Sequence, residues 1–306
     1  MRVERHKRKK RFRKVFAILF ILLLSVVGYI YIQYRSGIAE SLKLTDSNQQ
    51  EFEFNGKKDQ YGGINILLLG SDTYEKERSR ADTIMIVHYN KDKGTYKITS
   101  IMRDTYVEIP GHGKNKINAA LALGGPELMR KTIKNNFNLD IQHYAMVNFE
   151  GFVHVVDELF PDGVKVNVEK KIVESPEMTI EPGIQKLDGK HLLAYVRFRR
   201  DAEGDFGRVK RQQEVIKTIA NEMTSIHGVT KMPKLVGMIT PFINTNLNTG
   251  NMIFIGKDYF LNKDQQIESF RIPVDGTYTD KRVSAGAVLD IDLNKNKEAL
   301  HEFIQK

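Results

Sequence analysis

The hydropathy pattern begins with an uninterrupted apolar run over residues 15–32, eighteen positions without a charge and softened only by Ser25 and Gly28. At about 1.5 Å per residue a helix of that length spans roughly 27 Å, close to the hydrocarbon thickness of a bilayer. Tyr29, Tyr31 and Tyr34 at its distal end are the aromatics that favour a membrane interface. Gly37-Ile38-Ala39 resembles a small-x-small cleavage site, but the run exceeds the ~7–15 apolar residues of a cleaved signal, so an uncleaved anchor is expected. Residues 35–60 are polar and read as a stalk.

From residue 61 short runs alternate with helical periods. Residues 64–69, 83–89 and 96–102 read as three strands, the last two joined by the turn residues 90–94. Helices are expected over 117–123, 127–137, 149–159, 189–196, 205–226, 231–239, 251–260 and 295–304, with further strands at 143–147, 163–168 and 266–272. The pattern predicts an α/β fold. The expected layout is a single extracellular domain, residues 61–306, with a mixed β-sheet flanked by helices and preceded by one N-terminal transmembrane helix at 15–34.

Composition changes this picture in one respect. The chain of 306 residues has 47 Lys plus Arg against 38 Asp plus Glu, a formal +9 that invites a nucleic-acid reading. Yet nine of those bases, with a single acid, lie in residues 1–14, and the other 292 residues carry 38 basic and 37 acidic side chains. The excess is a cytoplasmic arm that orients the span, placing the rest outside the cell membrane, and no nucleic-acid partner is expected. The absence of cysteine excludes disulfides, thiolate metal sites and a Cys nucleophile.

If the first three strands form an antiparallel meander, simple topology gathers Asp72, Arg80, Asp82, Arg103 and Asp104 at one end of the sheet. Two carboxylates beside two arginines suit a hard cation and a phosphorylated ligand. A surface ion-pair network is the plainer alternative. A second cluster comprises Arg197, Arg199 and Arg200 after one helix and Arg208, Arg211 and Gln212 at the start of the long one. Arginine provides planar bidentate contacts to phosphate, and cations in a first helical turn imply a bound anion; a solvated basic face is the alternative. His112 reads as a turn residue, residues 59–63 lack phosphate-loop spacing, and neither a zinc site nor a Ser71 hydrolase triad is suggested.

At these residues the chain resembles the LytR–CpsA–Psr family, especially its teichoic-acid transferases. The matching segments are ILLLGSD (66–72), RADT (80–83), IMRDTYVEI (101–109), PGHGKNKINAALAL (110–123), LDGKHLLAYVRFR (187–199) and GRVKRQQ (207–213). No motif is matched after about residue 230. The resemblance implies a membrane-anchored phosphotransferase that moves an anionic glycopolymer, such as wall teichoic acid, from a polyprenyl-pyrophosphate carrier to a peptidoglycan sugar hydroxyl. It implies that Asp72 and Asp82 hold Mg²⁺ (or Mn²⁺). Arg80, Arg103, Arg197, Arg199, Arg208 and Gln212, with Arg211 as a further candidate, would grip the pyrophosphate. Asp104 would support Arg103 or act as base, a choice left open. The lipid would need an apolar tunnel, for which 121–123, 137–139, 149–160 and 215–223 are the candidate stretches. A polyprenyl-pyrophosphate hydrolase or lipid-binding wall protein is the nearest alternative, and a membrane-bound transcriptional regulator a remoter one.

Overall fold

In the computed structural model, residues 2–42, 52–72, 79–175, 177–226, 229–262 and 266–306 are described. Helix α1 (Arg2–Ser41) contains the apolar run and is the one described helix long and apolar enough to cross a membrane. Three strands follow, β1 (Ile64–Ser71), β2 (Thr83–Asn90) and β3 (Thr95–Ile101), and then the hairpin β4 (Thr105–Ile109) and β5 (Gly113–Lys116). Helix α2 (Ala119–Phe137) precedes β6 (His143–Asn148) and α3 (Phe149–Leu159). Four short strands, β7 (Val164–Val168), β8 (Ile172–Ser175), β9 (Met178–Ile180) and β10 (Gly183–Leu187), lead into α4 (Gly189–Arg197) and the long α5 (Gly204–Ile226). The remainder is α6 (Met232–Ile239), β11 (Asn244–Thr245), α7 (Thr249–Leu261), β12 (Ile267–Ile272), the hairpin β13 (Tyr278–Val283) and β14 (Gly286–Ile291), and α8 (Leu293–Gln305).

The main sheet has the order β11-β6-β1-β2-β3-β12. β1, β2 and β3 form the expected antiparallel meander, while β6 joins β1 and β12 joins β3 in parallel, so the sheet is mixed. Strand alternation sends successive side chains to opposite faces. Leu67, Ile84, Ile86 and Tyr144 pack into one core with Met129, Ile133 and Phe137 of α2 and Leu300 and Ile304 of α8. Their neighbours Leu68, Met85, Ala145 and Val147 face the other way and line a cavity. Beyond that cavity Val156, Leu159, Leu192, Val196 and Val215 of α3, α4 and α5 form a second core. The sheet is therefore packed against helices on one side and holds a cavity under helices on the other.

Three differences from the sequence reading have local causes. The hairpin β4–β5 was not expected; Gly111 (φ 81°) and Gly113 (φ 68°) supply its turn, and β14 extends it in parallel with β4. The strands at 172–175, 178–180, 183–187, 278–283 and 286–291 are also short and partly exposed, so their alternation is weak in hydropathy. The residues expected as a stalk are docked where they are described. α1 continues to Ser41, while Phe52 and Phe54 pack beside Tyr144 and Lys57 N donates to the Ile141 carbonyl at 3.0 Å. Residues 43–51 of that stretch lie outside the described residues.

Glu127 clamps the docked segment. Its carboxylate accepts from Asn55 N at 3.0 Å and from Arg130 Nε and Nη2 at 2.8 and 2.7 Å. Burial alone would raise its pKa; the bonds from Arg130 and Asn55 outweigh it and hold the carboxyl at about 2. A depressed carboxyl contributes stability above its unfolded pKa near 4.5 and loses it as pH falls through about 2. Glu127→Gln is expected to cost about 1–3 kcal/mol at pH 7, and the gap from the natural sequence to close between pH 4.5 and 2, as read by denaturant unfolding across that range.

Candidate functional site

The β1–β2 register pairs Gly70 with Thr83, so Asp72 after one strand and Asp82 before the next share one sheet edge. Asp82 N donates to the Gly70 carbonyl at 2.8 Å, which secures that turn. β3 ends one residue before Met102, bringing Arg103 and Asp104 to the same edge. Asn118 is stitched between them, its N–H on the Arg103 carbonyl at 3.3 Å and its carbonyl accepting from Ala81 N at 3.4 Å.

Arg103 is the hub. Its Nη1 donates to Asp82 Oδ1 at 2.5 Å, and its Nε lies 3.5 Å from Asp205 and 3.7 Å from Asp104. Burial works against its charge, but Asp205 and Asp82 outweigh it and its pKa ends raised. Arg208, 4% exposed, bonds Asp205 at 2.8 Å and reaches Asp82 at 4.0 Å. For Arg208 burial prevails and its pKa is lowered, with Arg103 adding repulsion and Asp205 only partly offsetting both. The Nε groups of both arginines are buried without a hydrogen-bond partner among the described residues. Unsatisfied buried donors are costly, and an anion placed there would satisfy them.

Two cavities meet here. The first, of about 500 Å³, runs under the sheet between Phe149, Phe152, Leu193 and Ile216 and ends at Arg197, Arg199, Arg200, Arg208 and Gln212. The second, of about 480 Å³, is polar and lined by Asp72, Ser79, Arg80, Asp104, Lys116 and Asn118. Asp82, Arg103 and Arg199 line both. Among the described lining residues, seven basic side chains face four acidic ones (Asp72, Asp82, Asp104 and Glu174), an excess that suits an anion. Arg197 also lies over the Phe149 ring, 4.1 Å from its centroid, joining the charged end of the apolar cavity to its wall.

The donor chemistry also suits a hard cation. Asp72, accepting from Ser79 Oγ at 2.5 Å, and Asp82 border the same polar cavity. Asn118, lining it too, has its buried Oδ1 without a partner among the described residues. No cluster of three or more His, Cys, Asp or Glu is found among the described residues, so such an ion would rely on phosphate or water oxygens to complete its shell, as Mg²⁺ commonly does.

Of the residues singled out from sequence, Arg211 alone is turned away. It bonds Asp201 at 3.1 Å and the Phe198 carbonyl, and it lines neither cavity. The helical-turn argument for a bound anion also weakens: α5 begins at Gly204, so Arg208 lies beyond its first turn, and Asp205 already supplies an acid there. The tunnel stretches divide as well. Phe149, Phe152, Val215 and Ile216 line the apolar cavity, whereas Leu121, Phe137 and Leu139 belong to the opposite core. Lys116, 2.6 Å from Asp104, was not anticipated, because its position depends on the unexpected β4–β5 hairpin. Asp205 was missed too, though an acid three residues before Arg208 on a helix was a usable signal.

The LytR_cpsA_psr family profile matches residues 28–302 of the chain. The chain belongs to that family. Among LytR_cpsA_psr relatives, "Regulatory protein MsrR" of Staphylococcus aureus (strain COL) is 40% identical over 282 residues, covering 92% of this chain and 86% of its own length. The "Polyisoprenyl-teichoic acid--peptidoglycan teichoic acid transferase TagU" of Bacillus subtilis (strain 168) is 34% identical over 268 residues, 85% of each chain. The solved structure "TagT bound to LI-WTA" superposes with a TM-score of 0.63 at 28% identity, covering 85% of this chain and 94% of that one. The LytR_cpsA_psr relatives thus carry both a regulator's and a transferase's name.

Arg199 and Arg211 separate binding from folding. Arg211→Met is expected to lower stability by about 1–3 kcal/mol by leaving Asp201 and the Phe198 carbonyl short of a donor, with pyrophosphate affinity unchanged. Arg199→Met is expected to do the reverse, weakening pyrophosphate at least tenfold with unfolding unaltered. Thermal unfolding and calorimetric titration with inorganic pyrophosphate measure the two.

Proposed function

We propose that this protein is a membrane-anchored phosphotransferase that moves an anionic glycopolymer from a polyprenyl-pyrophosphate carrier to a peptidoglycan sugar hydroxyl. The single observation that carries the reading is the meeting of an apolar and a polar cavity at Asp82, Arg103 and Arg199. An amphipathic substrate with an isoprenoid chain and a charged diphosphate matches that junction. The transferase name of the B. subtilis relative supports the polymer and acceptor. The apolar run of α1 supports a span with the arm cytoplasmic and the domain outside.

The prenyl chain lies along Phe149, Phe152, Leu193 and Ile216. Arg197, Arg199, Arg208 and Gln212 hold the diphosphate at the charged end, with Arg80 reaching it from the polar side. The buried Nε of Arg208 gains from the substrate the acceptor it lacks among the described residues. A divalent cation held by Asp72 and Asp82, Mg²⁺ or Mn²⁺, would supply further neutralisation of phosphate charge when bound. The acceptor hydroxyl approaches from the polar cavity, and its oxygen forms a bond to the phosphorus that bears the polymer. The bond from that phosphorus to the bridging oxygen breaks, the hydroxyl proton is released, and polyprenyl phosphate leaves with the electron pair. Arg103, preorganised by three carboxylates, stabilises the charge that builds there. Asp104 has its oxygens toward Lys116 and Arg103, which favours orienting Arg103 over taking the proton.

Incubating the full-length protein with a lipid-linked polymer precursor and peptidoglycan, and scoring covalent linkage, tests this directly. Asp82→Asn and Arg103→Ala are each expected to reduce linkage by about 10²–10³-fold, and chelation of divalent ions to stop it. Undiminished linkage in both variants would sink the site assignment. Release of free polymer with no linkage would favour a hydrolase.

A further inference from the structure

Outside the site, α1 packs on the domain through α6. Along α1 the partly or fully buried positions after Gly28 are Ile30, Gln33, Tyr34, Gly37, Ile38 and Ser41. That spacing is one face of a helix, and it lies against α6. The crossing is backbone on backbone: a Cβ at Gly37 would land on the Lys234 carbonyl oxygen, and one at Gly237 on that of Tyr34. Two polar contacts flank it. Glu40 pairs with Lys234 at 2.8 Å, and Tyr29 Oη donates to the Thr230 carbonyl at 3.4 Å.

The second of these fixes a height. Tyr29 and Ile30 lie inside the apolar run, which continues to Ile32, and three residues of helix rise only about 5 Å. The domain therefore meets α1 before the run has ended. Thr230 and Lys231 are exposed at this level, a cation where anionic headgroups would lie. α1 also contacts the turn Thr240–Phe242. The next residue, Ile243, lines the apolar cavity.

We infer that the α6 end of the domain rests in the headgroup layer of the membrane crossed by α1, locked there by the Gly37–Gly237 crossing. The partner is an anionic lipid surface. The lock carries one wall of the apolar cavity at fixed height beside the bilayer, so a lipid-linked substrate reaches it without crossing open water. This rests on the reading of α1 as a membrane span.

The chain has no cysteine, so single labels are placed cleanly. Full-length protein is reconstituted in vesicles of phosphatidylcholine and phosphatidylglycerol. Nitroxides are attached at Thr230→Cys, at Ser25→Cys inside the run, and at Glu298→Cys on α8, across the sheet from α6. The Thr230 label is expected to be at least threefold more accessible to a lipid-dissolved relaxant, relative to a water-soluble one, than the Glu298 label. Gly37→Leu is expected to bring it down to the Glu298 value with the Ser25 label unchanged. Glu40→Lys should move it the same way, and the swap Glu40→Lys with Lys234→Glu should restore it, which keeps the test decisive if Gly37→Leu perturbs folding. A Thr230 label as water-accessible as Glu298, or one indifferent to these substitutions, overturns the inference. A Ser25 label outside the bilayer overturns the span itself. None of these readouts needs turnover, so failure of the transfer assay is a separate result.

Discussion

A guanidinium shared by three carboxylates organises the charged end of this molecule. Arg103 joins Asp82 at the start of β2, Asp104 at the end of the meander and Asp205 in the first turn of α5. Sheet and helix are thereby tied across the place where the two cavities open into each other. A partly buried ion network of this kind gains little net stability, because desolvation offsets much of the attraction. What it secures is position. Arg208 is paired with Asp205, yet burial lowers its pKa and its Nε has no hydrogen-bond partner among the described residues. The network is incomplete in a way that a phosphate would complete.

The apolar cavity depends on the same arrangement by a different route. Period-two alternation gives β1, β2 and β6 two apolar faces, and α2 and α8 cover only one. The other is roofed by α3, α4 and α5; Arg197 ends α4, Arg199 and Arg200 follow it, and Arg208 lies near the start of α5. Apolar wall and cationic rim thus share α4, α5 and the connection between them. The balanced charge of the chain beyond residue 14 conceals this, since local excess at the site is cancelled elsewhere on the surface.

Much of this was legible in the residues. Gly70-Ser71-Asp72 closing one strand and Asp82 opening the next needed only an antiparallel turn to be neighbours, and Met102-Arg103-Asp104 needed only a second. Such local topology follows from apolar runs and turn residues. Lys116 was hidden because four-residue strands such as β5 carry too few positions to show alternation. Arg211 could not be told from Arg208 by composition or by helical period, since positions three apart lie on adjoining faces; only its partners Asp201 and the Phe198 carbonyl draw it aside. The docking of α1 on α6 was hidden for another reason. Gly37 read as part of a small-x-small site beyond the span, and only a partner glycine two hundred positions away makes it a contact.

The central claim is that a lipid diphosphate bridges the two cavities. A crystal structure of the protein soaked with a short prenyl pyrophosphate and Mg²⁺ tests it most directly. The account predicts the prenyl chain between Phe149, Phe152 and Ile216, with both phosphates within hydrogen-bonding reach of Arg103, Arg199 and Arg208. Phosphates bound away from Arg103 and Arg208, or a prenyl chain outside that cavity, would contradict it.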